Sequence, residues 1–141
     1  MTAHEAVLAV SAPLEVRGIV EGFYGRPWSP EQRLDMVDFI AELGMNTYVY
    51  SPKDDPFTRR RWREPYGAEA TEGLRALTER ARGAGVSLWY GLSPGLSMHY
   101  AEPGDVAAVR AKLDTLRDLR FTLISFPTRR SPYLLQHLGD L

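Results

Sequence analysis

A lysine and two adjacent carboxylates carry the most reactive chemistry in this sequence. Lys53, Asp54 and Asp55 lie in the run S-P-K-D-D-P, directly after a β-forming segment at residues 46–50. A lysine offers three hydrogen-bond donors on a flexible stem, and carboxylates act as general acids and bases. The pattern predicts polar chemistry at the C-terminal end of a strand. The alternative is a solvated charged turn, the usual environment of lysine.

A turn rich in glycine and aromatic residues follows another predicted strand. Residues 21–25 read E-G-F-Y-G, and an arginine comes next. This composition suits a backbone that approaches a ligand closely beside stacking rings. It equally suits a packed aromatic turn between a strand and a helix, and the residues alone leave both interpretations open.

Other reactive side chains lack the spacing that their chemistry needs. Ser93 lies in S-P-G rather than G-x-S-x-G, and no His or Asp completes a triad with it. His4, His99 and His137 are scattered, without metal-ligand spacing, although His99 follows the third predicted strand. The basic run at residues 59–63 has acidic neighbours, which favours an ion-paired or solvated loop over a phosphate-binding patch.

Composition narrows the class of protein. The 141 residues fit one domain, and 44% hydrophobic with 25% charged residues is typical of globular chains. The absence of Cys excludes disulfides and a thiolate nucleophile. A net charge of -1 predicts no nucleic-acid partner, and no apolar run reaches the ~20 residues of a membrane span. The opening residues lack a basic n-region, so we expect a cytoplasmic protein.

Hydrophobic periodicity and caps predict alternating strands and helices. Strands are expected at residues 15–20, 46–50, 86–90 and 121–126, with helices between them: one capped by Ser29 and stopped by Gly44, one at residues 71–82, and one capped by Asp105. Alternation predicts an α/β fold with a parallel sheet and right-handed crossovers. It fits both an open doubly wound sheet and a barrel. Strand ends that open onto Gly- and Pro-rich loops favour the barrel.

Two motifs carry a resemblance to a known family. G-F-Y-G-R-P-W-S at residues 22–29 and N-T-Y-V-Y-S-P-K-D-D at residues 46–55 resemble the start of the catalytic domain of glycoside hydrolase family 84, the β-N-acetylglucosaminidases. The resemblance covers roughly residues 16–119. It implies a (β/α)8 TIM barrel, of which this chain would supply the first three to four βα units and thus be incomplete, because such a barrel needs ~200–250 residues.

The resemblance also implies a substrate and its contacts. The carbonyl of Gly22 is expected to contact a sugar hydroxyl, Phe23 and Tyr24 to shape the pocket floor, and Lys53 to hydrogen-bond the ring hydroxyls of a terminal N-acetylglucosamine. The implied partner is an N-acetylglucosamine-containing glycan or glycoconjugate, and the family uses no metal or organic cofactor. The implied mechanism is retaining and substrate-assisted, with the acetamido oxygen of the sugar attacking its own anomeric carbon.

The sequence departs from the family where the catalytic residues should be. The resemblance places a catalytic Asp pair after the fourth strand, but beyond Leu123 this chain reads I-S-F-P-T-R-R. We therefore predict no catalytic residue in the chain. The resemblance also implies that the pair after the second strand is structural, so we expect Asp54 and Asp55 to fix the loop that aims Lys53 by pairing with nearby arginines (Arg59, Arg61 or Arg63).

These interpretations divide the chain into a leader at residues 1–14, a partial glycoside hydrolase catalytic barrel at 15–123 and an aberrant tail at 124–141. We expect a fragment that is inactive, because it lacks the general acid, and that self-associates non-specifically through open sheet edges. One alternative is a short, non-catalytic sugar-contacting protein. Another is an α/β hydrolase that uses Asp54 and Asp55 as its acid and base.

Overall fold

The computed structural model describes residues 14–125. In this part of the chain, strands alternate with helices as the sequence predicts. The elements are β1 (Gly18–Glu21), α1 (Pro30–Glu42), β2 (Thr47–Tyr50), α2 (Ala68–Gly83), β3 (Ser87–Gly91), α3 (Pro103–Asp118) and β4 (Leu123–Ser125), with short 3₁₀ helices at Pro56–Thr58 and Pro94–Leu96. Most of the predicted leader and tail lie outside the described residues.

The strands form one four-stranded parallel sheet in the order β1-β2-β3-β4. Ile19 pairs with Tyr48, and Tyr48 pairs in turn with Leu88, so neighbouring strands run in register along their full lengths. The crossover helices lie between successive strands in the chain, as parallel pairing requires. All carboxyl ends of the strands therefore meet at one edge of the sheet.

Local sequence signals set the bounds of α1. Ser29 and Gln32 form the predicted capping box: the Gln32 N–H donates to Ser29 Oγ at 3.2 Å, and the Ser29 N–H donates to Gln32 Oε1 at 2.9 Å. Gly44 follows the helix with a φ of 75°, a conformation that glycine adopts without strain. The predicted start and stop of this helix are confirmed.

The prediction that Asp105 caps the third helix is wrong. Glu102 occupies the N-cap of α3, which starts at Pro103, so Asp105 lies within the first turn. Proline is favoured at the first helical position because its missing N–H would have no partner there. The carboxylate of Asp105 instead accepts the N–H of His99 at 2.7 Å, and so holds the loop that precedes the helix.

One face of the sheet carries the hydrophobic core. Tyr48, Tyr50, Leu88 and Tyr90 are at most 4% exposed on this face, and the helices cover them. The main helix residues of the core are Val37, Ile40, Leu77, Val109 and Leu116. Val20 is 65% exposed and pairs with Val49, which shows that the opposite face is open in this part of the chain.

The helices of the described part are amphipathic and short. No helix within residues 14–125 has the length and apolar character to cross a membrane.

Candidate functional site

The loops that follow β1 and β2 are joined at the carboxyl edge of the sheet. The Ser51 N–H donates to the carbonyl oxygen of Glu21 at 3.0 Å, which extends the strand pairing by one residue. The Lys53 N–H then donates to the carbonyl oxygen of Phe23 at 3.3 Å. The β1 loop (residues 22–29) and the β2 loop (residues 51–67) are thus brought together, and Gly22 and Phe23 lie beside Lys53.

The aromatic residues of the β1 loop form a wall with one exposed end. The Phe23 ring is 37% exposed and meets Trp28 edge-on, with 5.2 Å between ring centroids. Trp28 in turn packs edge-on against the buried Tyr48 at 6.5 Å. Tyr24 is 75% exposed at the loop tip, beside Gly25 with a φ of 95°. The wall thus presents one packed ring, Phe23, and one exposed phenol, Tyr24.

Lys53 is half-buried at the start of the β2 loop. Among residues 14–125, no carboxylate forms an ion pair with it. Its backbone N–H is held by Phe23, and its side chain forms no hydrogen bond with another residue of the range 14–125. This combination suits a residue that binds polar groups of a ligand.

The two adjacent aspartates have different environments. Asp54 is exposed, whereas Asp55 is 8% exposed and caps the 3₁₀ helix Pro56–Thr58. Asp55 Oδ1 accepts the Phe57 N–H at 2.8 Å, and Oδ2 accepts the hydroxyls of Tyr50 at 2.6 Å and Tyr66 at 2.7 Å. A carboxylate saturated by its own chain is poorly placed to act as acid or base, so this geometry argues against a hydrolase built on Asp54 and Asp55.

The predicted pairing of Asp55 with an arginine is wrong, although its predicted role in fixing the loop agrees with these contacts. Arg61 pairs with Glu64, and Arg63 pairs with Asp105. Tyrosine hydroxyls take the place of the arginines because the Asp55 carboxylate turns toward the core, where a guanidinium would have to lose its hydration.

Asp55 accepts the hydroxyls of Tyr50 and Tyr66, the Tyr66 hydroxyl in turn contacts that of Tyr90, and we call these four residues the tyrosine cluster. The hydroxyl oxygens of Tyr66 and Tyr90 lie 2.7 Å apart, and the Tyr50 and Tyr90 rings stack at 5.7 Å. Burial raises the pKa of each of the three phenols well above its ordinary value. The phenols therefore stay protonated and act as hydrogen-bond donors beneath the β2 loop.

A buried ion pair supports the β1 loop from below. Glu21, the last residue of β1, is fully buried, and its carboxylate accepts from Arg33 Nε at 3.0 Å and from the Tyr48 hydroxyl at 2.6 Å. Arg33 comes from α1, so the pair joins a strand end to the neighbouring helix. Sequence reasoning missed Glu21 as a functional support. The unusual place of an acid at the end of an apolar strand was the available signal.

Arg63 joins the β2 loop to the loop after β3. Its guanidinium donates to Asp105 Oδ1 at 2.6 Å and to the carbonyl oxygen of Ser97 at 2.9 Å. Hydrogen bonding from the His99 N–H, with a further contribution from Arg63, lowers the pKa of the Asp105 carboxyl. Two arginines of the basic run at residues 59–63 thus form ion pairs within the chain, which agrees with the prediction of an ion-paired loop.

The remaining candidates show no catalytic arrangement in the described part. Ser93 is half-buried, and its N–H donates to the carbonyl oxygen of Thr58 at 2.8 Å. His99 is exposed. Within residues 14–125, no group of three or more His, Cys, Asp or Glu side chains is arranged to hold a metal ion. His4, His137 and the tail lie outside the described residues.

The sequence of this chain matches a known family of glycosidases. A family model described as NAGidase, beta-N-acetylglucosaminidase, matches residues 17–134. The chain therefore belongs to the β-N-acetylglucosaminidases of glycoside hydrolase family 84, which the motifs of its first two loops suggested. The match extends beyond residue 123, where the sequence analysis placed the end of the partial barrel. The division into leader, partial barrel and tail stays a prediction.

Individual relatives agree with this assignment. The proteins named Protein O-GlcNAcase from Rattus norvegicus and Mus musculus are each 43% identical over 97 residues, which is 69% of this chain and 11% of theirs. A solved O-GlcNAc hydrolase mutant of Thermobaculum terrenum aligns with a TM-score of 0.75 and 36% identity over 78% of this chain and 24% of its own. The solved CpGH84B aligns with a TM-score of 0.75 and 38% identity over 78% of this chain and 20% of its own.

Sugar contacts by Gly22, Phe23, Tyr24 and Lys53 stay a prediction. In the structure, Gly22 and Phe23 of the β1 loop lie beside Lys53 of the β2 loop. Tyr24 lies at the exposed tip of the β1 loop. The chain spans only a small part of the length of each relative.

Proposed function

We propose that residues 14–125 are the first three βα units and the fourth strand of a (β/α)8 barrel. The sequential parallel order of the strands supports this, because a doubly wound sheet reverses its order at a switch point. The open sheet face around Val20 is the face that would point into the barrel, and the carboxyl edge would carry the active-site loops.

At that edge, the chain binds the terminal N-acetylglucosamine of a glycan or glycoconjugate. The observation that carries this function is the hydrogen bond from the Lys53 N–H to the carbonyl oxygen of Phe23, which joins the two loops that contain the family motifs. The Lys53 ammonium group donates to ring hydroxyls, the Gly22 carbonyl accepts from one, and Phe23 with Tyr24 covers the apolar side of the ring.

The chain as given binds without hydrolysing. After β4 the sequence continues F-P-T-R-R, where the family resemblance expects the catalytic Asp pair. Without those carboxylates, the leaving oxygen has no proton donor and the acetamido group has no orienting partner, and losing general acid-base help alone costs about 10²- to 10⁴-fold. The runner-up function, a non-catalytic sugar-contacting protein, rests on this same absence in the sequence.

The test is a binding titration paired with an activity assay. N-acetylglucosamine is titrated into the labelled chain while amide NMR shifts are followed, and a chromogenic β-N-acetylglucosaminide reports turnover. We expect saturable shifts in the β1 and β2 loops and no turnover. Lys53→Ala should weaken binding about tenfold or more, because a charge-assisted hydrogen bond contributes about 1.5–3 kcal/mol.

The matched control is Arg60→Ala, which removes an exposed cation from the same loop. It should leave the affinity for N-acetylglucosamine unchanged. Equal losses in both variants would show a general charge effect and would overturn the assignment of Lys53. Turnover that is abolished in an Asp55→Asn variant shown to remain folded would instead establish the hydrolase that uses Asp54 and Asp55.

A further inference from the structure

Lys112 is a buried cation that the proposed sugar site does not use. It lies on α3, is 4% exposed, and donates from Nζ to the carbonyl oxygen of Glu64 at 3.2 Å. Among residues 14–125, no carboxylate forms an ion pair with it. A buried charge without a partner is costly, so this lysine needs another source of stabilisation.

Aromatic rings surround the Lys112 amine and provide part of that stabilisation. Its Nζ lies 4.8 Å from the centroid of the Tyr66 ring, 5.9 Å from that of Tyr90 and 6.0 Å from that of Phe57. Cations within about 6 Å of a ring centroid are attracted by the ring quadrupole, more strongly when desolvated. Two of these rings, with Glu64, belong to the β2 loop, so Lys112 holds that loop against α3.

The contacts continue from Lys112 to the candidate sugar site. The ring of Tyr66 lies against the Lys112 amine, and its hydroxyl donates a hydrogen bond to Asp55 at 2.7 Å. Asp55 is two residues from Lys53, whose N–H donates to Phe23. Lys53 and Lys112 are the two lysines of the sequence. Lys53 lies in the β2 loop, and Lys112 contacts that loop from α3.

We propose that Lys112 is a positioning residue of the β2 loop: held between α3 and that loop, it controls how firmly the loop presents Lys53 beside Phe23. In this role Lys112 acts through its contacts with Tyr66 and Glu64 of the loop. The contacts of Lys112 with Glu64 and the aromatic rings support its role in positioning the loop. The effect of this positioning on sugar binding rests on the proposed function.

The charge state of Lys112 provides a signature of this role. Burial lowers the pKa of the amine to about 8. The titratable groups that face it are Asp55 and Tyr66 from the β2 loop and Tyr90 from β3, while Glu64 faces it through its carbonyl and pairs its carboxylate with Arg61. Burial raises the pKa of both tyrosines, so neither loses its proton between pH 7 and 9.

The sign of the pH effect follows from this shift. When the loop opens, Lys112 meets water and regains the ordinary lysine pKa near 10.4, so the open state binds a proton more tightly than the closed state. Opening is then easier at pH 7 and becomes harder as pH rises through 8. Linkage predicts that the closed loop gains about tenfold in protection between pH 7 and pH 9.

Amide hydrogen exchange on the full chain tests the proposal. Exchange rates are divided by the intrinsic rate at each pH, which leaves the protection factor of each amide. The expected result is about a tenfold rise in protection at Lys53 and at residues 57–66 between pH 7 and 9, with no comparable rise in α1. Flat protection at Lys53 would overturn the proposal, and this measurement needs no variant.

Two substitutions sharpen the test. Lys112→Met keeps the length of the side chain but cannot titrate, so the rise in protection should disappear. Arg110→Met removes an exposed cation from the same helix and should retain the rise. A rise that persists in Lys112→Met, or that disappears in Arg110→Met, would contradict the role of Lys112. If Lys112→Met does not fold, Lys112→Gln serves in its place.

Failure of the proposed function is separable from failure of this inference. If Lys53→Ala leaves N-acetylglucosamine binding unchanged, the sugar site is wrong, but the exchange signature of Lys112 still stands or falls by itself. If Lys53→Ala weakens binding while the protection at Lys53 is flat with pH, the sugar site stands and the positioning role of Lys112 is wrong.

Discussion

The backbone N–H of Lys53 donates a hydrogen bond to the carbonyl oxygen of Phe23 at 3.3 Å. This bond lies just beyond the ends of β1 and β2, where regular strand pairing has stopped. It places a cationic side chain next to an aromatic loop, and the supports beneath it are the tyrosine cluster and the ion pair of Glu21 with Arg33.

Replacing Asp55 should destabilise the fold. Asp55→Ala removes the acceptor of the Tyr50 and Tyr66 hydroxyls and the cap of the 3₁₀ helix. A buried donor without its acceptor costs about 1–3 kcal/mol, so we expect a loss of about 3 kcal/mol in the free energy of unfolding. Urea unfolding measures it. Asp54→Ala is the control, because Asp54 is exposed and its loss should stay within about 0.5 kcal/mol. Equal effects of the two variants would contradict the assigned roles.

Breaking the Glu21 pair should also destabilise the fold strongly. Glu21→Gln leaves the 13%-exposed Arg33 side chain with an uncompensated charge, and breaking a buried pair costs about 3–5 kcal/mol. Adding Arg33→Met to Glu21→Gln should recover part of this loss, because the uncompensated charge is then gone. Thermal and urea unfolding measure both variants.

The control for that pair is the exposed pair of Asp38 with Arg80, whose side chains are 44% and 49% exposed. Asp38→Asn should cost less than about 1 kcal/mol, since solvent screens exposed charges. A Glu21→Gln variant as stable as the Asp38→Asn variant would show that the Glu21 contacts contribute little.

Stability should fall steeply in alkaline solution. Burial raises the pKa of Tyr48, Tyr50, Tyr66 and Tyr90 in the folded chain, whereas tyrosines of the unfolded chain lose their protons near pH 10. Above that pH the folded state binds more protons, so the stability that is fully present below pH 10 is lost as pH rises. The four phenols together give a slope of at most roughly 5 kcal/mol per pH unit.

The titration of Lys112 has the opposite effect on stability, and it does so at lower pH than that of the phenols. Its folded pKa of about 8 lies below the ordinary lysine value, so its contribution to stability rises with pH between about 8 and 10.4. Urea unfolding from pH 7 to 11 should therefore show a maximum before the decline. Stability that stays constant past pH 10 would contradict the burial of the phenols, and loss of the maximum in Lys112→Met would identify its source.

The local sequence determined the order of the elements and their ends. Ser29, Pro30 and Gln32 start α1 through contacts within a few residues, and Gly44 ends it through a backbone conformation that favours glycine. Apolar periodicity located the other helices within a few residues of their observed bounds. The family motifs of the first two loops are contiguous runs, so they too were visible without a structure.

Only the tertiary structure decided the partners of the buried polar groups. Asp55 was expected to pair with arginine but accepts tyrosine hydroxyls, Asp105 was expected to cap a helix but binds Arg63, and Lys112 reaches a carbonyl 48 residues away in the chain. Periodicity predicts which face of an element is buried, but it carries no information about what lies opposite. That depends on how the sheet and helices pack, and the low polarity of the packed interior then selects the hydrogen-bond partners.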